Sequence, residues 1–193
     1  MQPIDRSEIL SLGAYEEIRP HFRQRVIQAK KSRRVPLGDL MTVVFENRDT
    51  MLLQIQEMLR AERITQESGI LHEIETYNDL VPGKNQLSMT LTIEIADRDQ
   101  REAWLVKLAG LESKIVLVVG DERCAGKADD RSVDGIDRTT AVHYFKFDLP
   151  DSAVKSLLGG ASVRLESEHP AYPASVPFPP QVVAELRADV SSP

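Results

Sequence analysis

Three side chains on neighbouring predicted helices have types and spacing that could bind a metal. Glu57 lies in "QEMLRAER", and His72 and Glu75 lie three positions apart on one face of the next helix. The turn between the two helices falls near Ile64, so antiparallel packing would place Glu57 and His72 at the same height. Carboxylates and imidazole on facing helices are typical ligands of iron and manganese, and zinc also binds them.

Two features of the pattern argue against a metal centre at these positions. A di-metal site in a helical bundle needs the Glu-x-x-His spacing twice, whereas this chain offers one His-x-x-Glu, in reversed order. Arg60 also follows Glu57 by three positions, where an ordinary surface ion pair accounts for the carboxylate. Because charged helix positions are usually exposed, a solvated helix face is favoured over a bound metal.

The stretch "FENRDT" joins the end of an apolar run to the start of a patterned helix. Asn47 or Asp49 is suited to cap that helix, because a side-chain oxygen can accept from the free backbone N–H groups of the first turn. Alternatively, the same N-terminus could bind an anionic ligand with Arg48 and Asp49. The negative charges of Glu46 and Asp49 disfavour a strongly anionic ligand, so capping is the preferred interpretation.

A charged insertion from Asp121 to Thr140 contains the single cysteine, Cys124, between Arg123 and Lys127. Neighbouring cations can lower the pKa of a thiol, which makes Cys124 a candidate binding residue. The sequence shows no general base or second cysteine to act with it, so no catalytic residue is predicted. The aspartates of the insertion do not match a calcium loop. An interaction loop and a solvated loop both stay open.

A basic run lies along the first predicted helix, with no acidic residue inside it. Its members are Arg19, Arg23, Arg25, Lys30, Lys31, Arg33 and Arg34. Within this run Arg23, Lys30 and Lys31 are the candidate docking residues for an acidic protein, and a solvated helix face is the other interpretation. Nucleic acid is disfavoured because the run lacks the interleaved aromatic residues that stack on bases.

The composition favours a globular protein without a membrane segment. The net charge of −6 gives no general attraction to nucleic acid or to an anionic membrane. The longest apolar run, Ile115 to Val119, is far shorter than the roughly 18–20 residues of a membrane-spanning helix. One cysteine excludes an internal disulfide, and the first residues do not resemble a signal peptide. We therefore expect a cytoplasmic protein. The sequence is compatible with either a monomer or a homo-oligomer.

The elements that must position these residues form an α+β pattern. Residues 1–82 are predicted to be helical with one short strand, "LMTVVFE". Pro20 suits only a first turn, so the first helix should begin near Arg19. The second helix should run from Arg48 to Arg63 and the third should be capped by Thr65, forming a helical hairpin.

Residues 83–193 have a different rhythm, in the order β-α-β-β-α-β. This order predicts a ferredoxin-like sandwich in which the insertion is a long central hairpin loop. The proline-rich segment "HPAYPASVPFPP" should be irregular, and a last helix should cover 181–188. The two regions could also pack as one integrated domain.

Three stretches of the sequence resemble a known family. "YEEIRPHFRQRVIQAKKSRRVPLGD", "FENRDTMLLQIQEMLRAERI" and "HEIETYNDLVPG" are similar to bacterial proteins known only as a domain of unknown function, most strongly from Tyr15 to Leu91. Members are often encoded beside a rubrerythrin and an iron–sulfur oxidoreductase, so the resemblance implies a redox or peroxide-defence setting. It supplies no catalytic residue.

Three hypotheses about function follow. The first is a non-enzymatic accessory protein of a redox system, with rubrerythrin or an iron–sulfur oxidoreductase as its partner. The alternative is a metal-dependent or small-molecule-binding enzyme that uses the Glu57, His72 and Glu75 cluster. A third is ligand sensing through the ferredoxin-like region.

Overall fold

The computed structural model describes residues 1–129 and 137–191. The helices are α1 (Leu12–Lys31), α2 (Arg48–Ala61), α3 (Glu67–Asn78), α4 (Arg98–Lys107), α5 (Asp151–Leu158) and α6 (Pro180–Ser191). The strands are β1 (Arg34–Leu37), β2 (Met41–Glu46), β3 (Gln86–Ile93), β4 (Ile115–Val119), β5 (Glu122–Ala125), β6 (Lys127–Ala128), β7 (Val142–Asp148), β8 (Val163–His169) and β9 (Tyr172–Pro177). Among these helices none is both long and apolar enough to span a membrane.

The fold class is α+β, as predicted, but the strands are distributed over two antiparallel sheets. Sheet A has the order β1-β2-β3-β7-β6 and sheet B has the order β5-β4-β8-β9. The four strands expected to form one ferredoxin-like sheet are therefore divided, with β3 and β7 in sheet A and β4 and β8 in sheet B. The physical reason is that the free edge of β3 pairs with β2, and the insertion begins with strands rather than with a hairpin loop.

Gly126 allows the insertion to pass from one sheet to the other. β5 pairs with β4 in sheet B, and β6, immediately after Gly126, pairs with β7 in sheet A. The Gly126 N–H donates to the Ile115 carbonyl at 2.8 Å. A Cβ atom at this position would lie 3.0 Å from Phe145 Cδ1 and 3.1 Å from Phe147 Cε1. The close approach of these rings explains why the crossing point is a glycine.

Tyr172 joins the opposite edges of the two sheets. Its hydroxyl donates to the Leu37 carbonyl at 2.9 Å and accepts from the Leu40 N–H at 2.9 Å. The sheets thus meet at β5–β6 on one side and at β1–β9 on the other. Apolar side chains of both sheets, such as Phe145 in β7 and Leu117 in β4, form one buried core.

The helices α2 and α3 form a second apolar cluster on the other face of sheet A. Met51, Ile55 and Ile74 pack there with the segment at Ile4, and Tyr144 of β7 contacts the cluster. The regions 1–82 and 83–193 share sheet A, because β1 and β2 of the first region pair with β3 of the second. The chain is accordingly organised around a sheet that crosses the predicted boundary.

Several predicted elements are confirmed and a few are wrong. The strand "LMTVVFE" corresponds to β2, the second helix to α2 and the last helix to α6. The first helix begins at Leu12 rather than Arg19, with Ser11 as its cap and Pro20 in its interior. Its extra turns bury Tyr15 completely, which helps to offset the cost of an internal proline, about 3 kcal/mol.

Two further local predictions are corrected. Gln66, not Thr65, is the N-cap of α3, and its side chain makes no capping hydrogen bond. The proline-rich segment contains the regular strand β9. Prolines are tolerated in β9 because it is the edge strand of sheet B, where half of the backbone groups need no partner.

Candidate functional site

Glu57 faces α1 instead of α3. Its Oε1 accepts hydrogen bonds from Tyr15 Oη at 2.6 Å and Arg19 Nε at 2.7 Å, and its Oε2 accepts from Arg19 Nη2 at 2.9 Å. The guanidinium of Arg19 holds the pKa of Glu57 below its ordinary value of 4.5. Burial, followed by the Glu57 hydrogen bond, raises the pKa of Tyr15. The carboxylate therefore holds α1 against α2.

His72 and Glu75 lie on the exposed side of α3. Within the described part of the chain, no three His, Cys, Asp or Glu side chains are grouped to hold a metal ion. The structure thus does not bring Glu57, His72 and Glu75 together. The reason is that the Glu57 side chain points to Tyr15 and Arg19 of α1 instead of to α3. The predicted hairpin of the second and third helices did not include α1 as a neighbour.

"FENRDT" acts as the start of α2. The Asn47 side chain accepts from the Thr50 N–H at 3.0 Å, and Thr50 Oγ1 accepts from the Asn47 N–H at 2.9 Å, which completes a capping box. Arg48 donates to Glu8, and Asp49 accepts from Arg25 Nη1 at 2.6 Å. The capping interpretation is confirmed, while the candidate binding residues Arg48 and Asp49 are occupied by contacts within the chain.

Cys124 is buried, with 4% of its surface exposed. Burial raises the pKa of its thiol, so the predicted lowering by neighbouring cations is wrong. Side chains alternate along β5, and Arg123 points away from Cys124 to pair with Glu166 and Glu168. Cys124 packs in the core between the sheets, where its thiol is covered by apolar side chains. Residues 130–136 of the insertion, which include two of its aspartates, lie outside the described residues.

Most of the basic run is neutralised within the molecule. The ion pairs are Arg19–Glu57, Arg25–Asp49, Lys30–Glu46, Arg33–Asp189, Arg33–Glu185 and Arg34–Glu94. Arg33 is only 3% exposed and ties the end of α1 to α6. Lys30 is half-buried, with its ammonium 3.5 Å from the buried Glu46 carboxylate. These contacts make most of the run structural.

Arg23, Ile27 and Lys31 form what we call the α1 stripe. They lie at i, i+4 and i+8 of α1, so they follow one line along the helix surface. All three are exposed, and Ile27 retains 37% of its surface. Two cations flanking an accessible aliphatic side chain form a surface that complements carboxylates around an apolar residue.

A charged cleft of about 320 Å³ lies at the β6 edge of sheet A. Tyr144, Lys146 and Asp148 of β7 line it on one side, Lys127 of β6 lies on another, and Asp79 at the end of α3 completes it. Lys127 Nζ donates to Asp148 Oδ2 at 2.6 Å. The cleft therefore presents both positively and negatively charged side chains.

Comparison with known proteins places the chain in a family. A family described as a protein of unknown function, DUF3501, matches residues 3–190. The chain belongs to this family. A crystal structure of a novel protein of unknown function from Burkholderia pseudomallei is similar to this DUF3501 chain, with 36% sequence identity and a TM-score of 0.92. The match covers 98% of this chain and 100% of the other. No curated protein matches this DUF3501 chain.

The expected resemblance to an uncharacterised family is thereby confirmed for DUF3501. Two features of this DUF3501 chain were missed from sequence, the charged cleft and the buried pair of Arg33 with Asp189. The cleft had a local signal, because alternation along "VHYFKFD" places Tyr144, Lys146 and Asp148 on one face. The ion pair had none, since its two residues are 156 positions apart.

Proposed function

We propose that this DUF3501 protein is a non-enzymatic accessory protein that docks an acidic protein partner through the α1 stripe. The observation that carries the proposal is the exposed spacing of Arg23, Ile27 and Lys31 on one face of α1. Neither Arg23 nor Lys31 has an ion pair within 4 Å in the described part of the chain, whereas the other five basic residues of the run do.

The charge distribution supports an acidic partner. The whole chain carries −6, yet this face of α1 presents two cations without an intervening acid. A local positive surface on a negatively charged protein steers an acidic partner to one orientation and increases its association rate. Ile27 adds an apolar contact at the centre, where desolvated side chains contribute most to affinity.

The resemblance noted above suggests the partner class. A redox or peroxide-defence setting makes a rubrerythrin or an iron–sulfur oxidoreductase the proposed partner, in a cytoplasmic complex. A metal-dependent activity of this chain is not proposed, because Tyr15 and Arg19 occupy the Glu57 carboxylate. The role we propose is therefore to bind and orient a redox protein.

The test measures binding of the purified protein to a rubrerythrin and to an iron–sulfur oxidoreductase from the same genome. Affinity for one of them should fall steeply between about 50 mM and about 300 mM salt, since screening weakens contacts between exposed charges. The double variant Arg23→Glu/Lys31→Glu should bind at least about tenfold more weakly, because two attractive contacts become repulsive.

The matched control is Arg98→Glu/Lys155→Glu, which reverses two exposed cations on α4 and α5. It has the same net charge as the double variant, so its affinity should stay within about twofold of the wild type if position matters. Loss of binding in both variants would assign the effect to net charge alone. If neither partner binds, or if the Arg23→Glu/Lys31→Glu variant binds as tightly as the wild type, the proposal is wrong.

A further inference from the structure

Helix α3 carries an acidic face with an exposed leucine at its centre. Glu67, Leu71 and Glu75 lie at i, i+4 and i+8 on the exposed side of the helix, and we call them the α3 stripe. Leu71 retains 48% of its surface. The sequence from Ile64 to Gly83 contains no lysine or arginine, so no neighbouring cation on this helix offsets the carboxylates.

The side chains of the α3 stripe contribute little to the stability of the chain itself. Glu75 lies in the last turn of α3, where the negative end of the helix dipole disfavours a carboxylate. In the described part of the chain its side chain makes no hydrogen bond and no ion pair. Glu67 pairs with Arg6 but stays 60% exposed, and a carboxylate has acceptor sites for more than one donor. All three side chains are thus accessible to a second molecule.

The α1 stripe has the complementary arrangement. On α1 two cations, Arg23 and Lys31, flank Ile27, whereas on α3 two carboxylates flank Leu71. In both stripes the charged positions are eight residues apart, which is about 12 Å along a helix. When two such helices lie side by side, each cation meets a carboxylate and the two aliphatic side chains pack between them. The order of charges is symmetric, so it matches in either helix direction.

The two stripes of one chain do not cover each other. Helix α2 packs against both α1 and α3, and every residue of both stripes is exposed. The counterpart of each stripe is therefore present on another copy of the same chain. Because the stripes are different surfaces, each copy can use both of them at once.

We propose that a second copy of this chain binds here, with the α3 stripe of one copy on the α1 stripe of the other. Two short helix faces bury less area than a stable interface needs, so the association is weak and reversible. The contact uses the α1 stripe on which the proposed function rests, and it therefore competes with an acidic partner. It does not require that partner, since this protein alone supplies both surfaces.

Sedimentation equilibrium of the full-length protein alone tests the contact. At about 100 mM salt the average mass should rise above that of one chain as the concentration increases to about 500 µM. Arg23→Glu/Lys31→Glu and Glu67→Lys/Glu75→Lys should each weaken the association at least about tenfold, because attractive contacts become repulsive.

The control for net charge is again Arg98→Glu/Lys155→Glu, which reverses exposed cations on α4 and α5. It has the same net charge as the α1 variant and should associate within about twofold of the wild type.

Mixing the two charge-reversed variants is the most specific test. The unchanged α3 stripe of the first variant then meets the unchanged α1 stripe of the second, and the two reversed stripes also complement each other. Association in the mixture should return to within about threefold of the wild type, although neither variant associates alone. Each double reversal changes the net charge of −6 by four units, so both variants stay negative and general attraction does not explain the recovery.

The outcomes separate this proposal from the docking function. A wild type that stays monomeric over the whole concentration range overturns self-association, as does unchanged association in either stripe variant or a mixture that stays monomeric. Thermal unfolding should show that every variant is folded, because all the substituted positions are exposed. Glu67→Lys/Glu75→Lys leaves the α1 stripe intact, so failure of this variant and of the wild type to bind the redox partner would contradict the docking function alone.

Discussion

Removing the Glu57 carboxylate should destabilise the protein by separating α1 from α2. The side chain accepts three hydrogen bonds, two of them from the Arg19 guanidinium, and is 27% exposed. Bonds to a charged group contribute roughly 1.5–3 kcal/mol each, and partial exposure reduces this value. In Glu57→Ala the hydroxyl of the buried Tyr15 also loses its acceptor. We expect a loss of about 3 kcal/mol in the free energy of unfolding.

Urea unfolding followed by circular dichroism measures this loss directly. The midpoint should fall with little change in the dependence on urea, because the folded state stays equally compact. For a chain of this size the melting temperature should fall by about 6–12 °C. His72→Ala is the control, because His72 is exposed on α3 and its removal should change stability by no more than about 0.5 kcal/mol.

The same pair of variants tests the metal hypothesis. A centre built from Glu57, His72 and Glu75 predicts that iron, manganese or zinc stabilises the wild type and that both variants lose this effect. The contacts of Glu57 with α1 predict that only Glu57→Ala is destabilised and that added metal changes neither variant. A loss below about 1 kcal/mol in Glu57→Ala would refute the reasoning.

The contribution of Glu57 should also depend on pH in a known direction. Its pKa is lower in the folded state than the ordinary 4.5, so the folded protein binds this proton less readily than the unfolded chain. The stabilisation is then complete above pH 4.5 and is lost as the pH falls through the folded-state pKa. The difference in stability between wild type and Glu57→Gln should therefore shrink in that acidic range.

Three further changes test other parts of the fold. Gly38→Ala should lower the free energy of unfolding by about 2–4 kcal/mol in urea, because φ is +66° and the new Cβ would lie 2.3 Å from Tyr172 Oη. An equal loss in a Tyr172→Phe background would contradict the clash with this hydroxyl. Cys124 should react with a thiol reagent only as the protein unfolds, so rapid labelling of the folded protein would disprove its burial. Burial lowers the pKa of His143 from 6.5, so the unfolded chain takes up this proton first and stability falls as the pH drops below 6.5. In His143→Phe the free energy of unfolding should fall less steeply with decreasing pH. An unchanged pH dependence would argue against a contribution from His143.

The local pattern of the sequence was sufficient for most individual helices and strands. The alternation of Leu87, Met89 and Leu91 with polar residues is enough to indicate a half-buried strand, and all three side chains are buried in the core as part of β3. It was not sufficient for the pairing of strands, which depends on contacts between distant segments. The division into two sheets follows from the crossing at Gly126 and from the pairing of β2 with β3, and neither has a signature in a short window.

The candidate site residues show the same difference. The cap at Asn47 was predicted because capping depends on residues two or three positions away. Glu57 was assigned to the wrong neighbour because its partner Tyr15 lies 42 positions away, on a helix whose start was misplaced. The pKa of Cys124 was misjudged because residues adjacent in sequence point to opposite faces of a strand, so the Arg123 side chain is directed away from the thiol and pairs with Glu166 and Glu168.

The contacts that secure β1 have a consequence for the order of folding. The Tyr172 hydroxyl that joins β1 to β9 lies 135 positions from Leu37, and Asp189 lies 156 positions from Arg33, the residue before β1. Contacts of such long sequence separation form slowly, because a long loop must close before either gives any stabilisation. During synthesis on the ribosome, β1 can pair with β2 early, but its outer edge stays without its contacts until β9 and α6 emerge. We therefore expect refolding to be limited by docking of β9 and α6, so that loss of this final step exposes β1 as a site of aggregation.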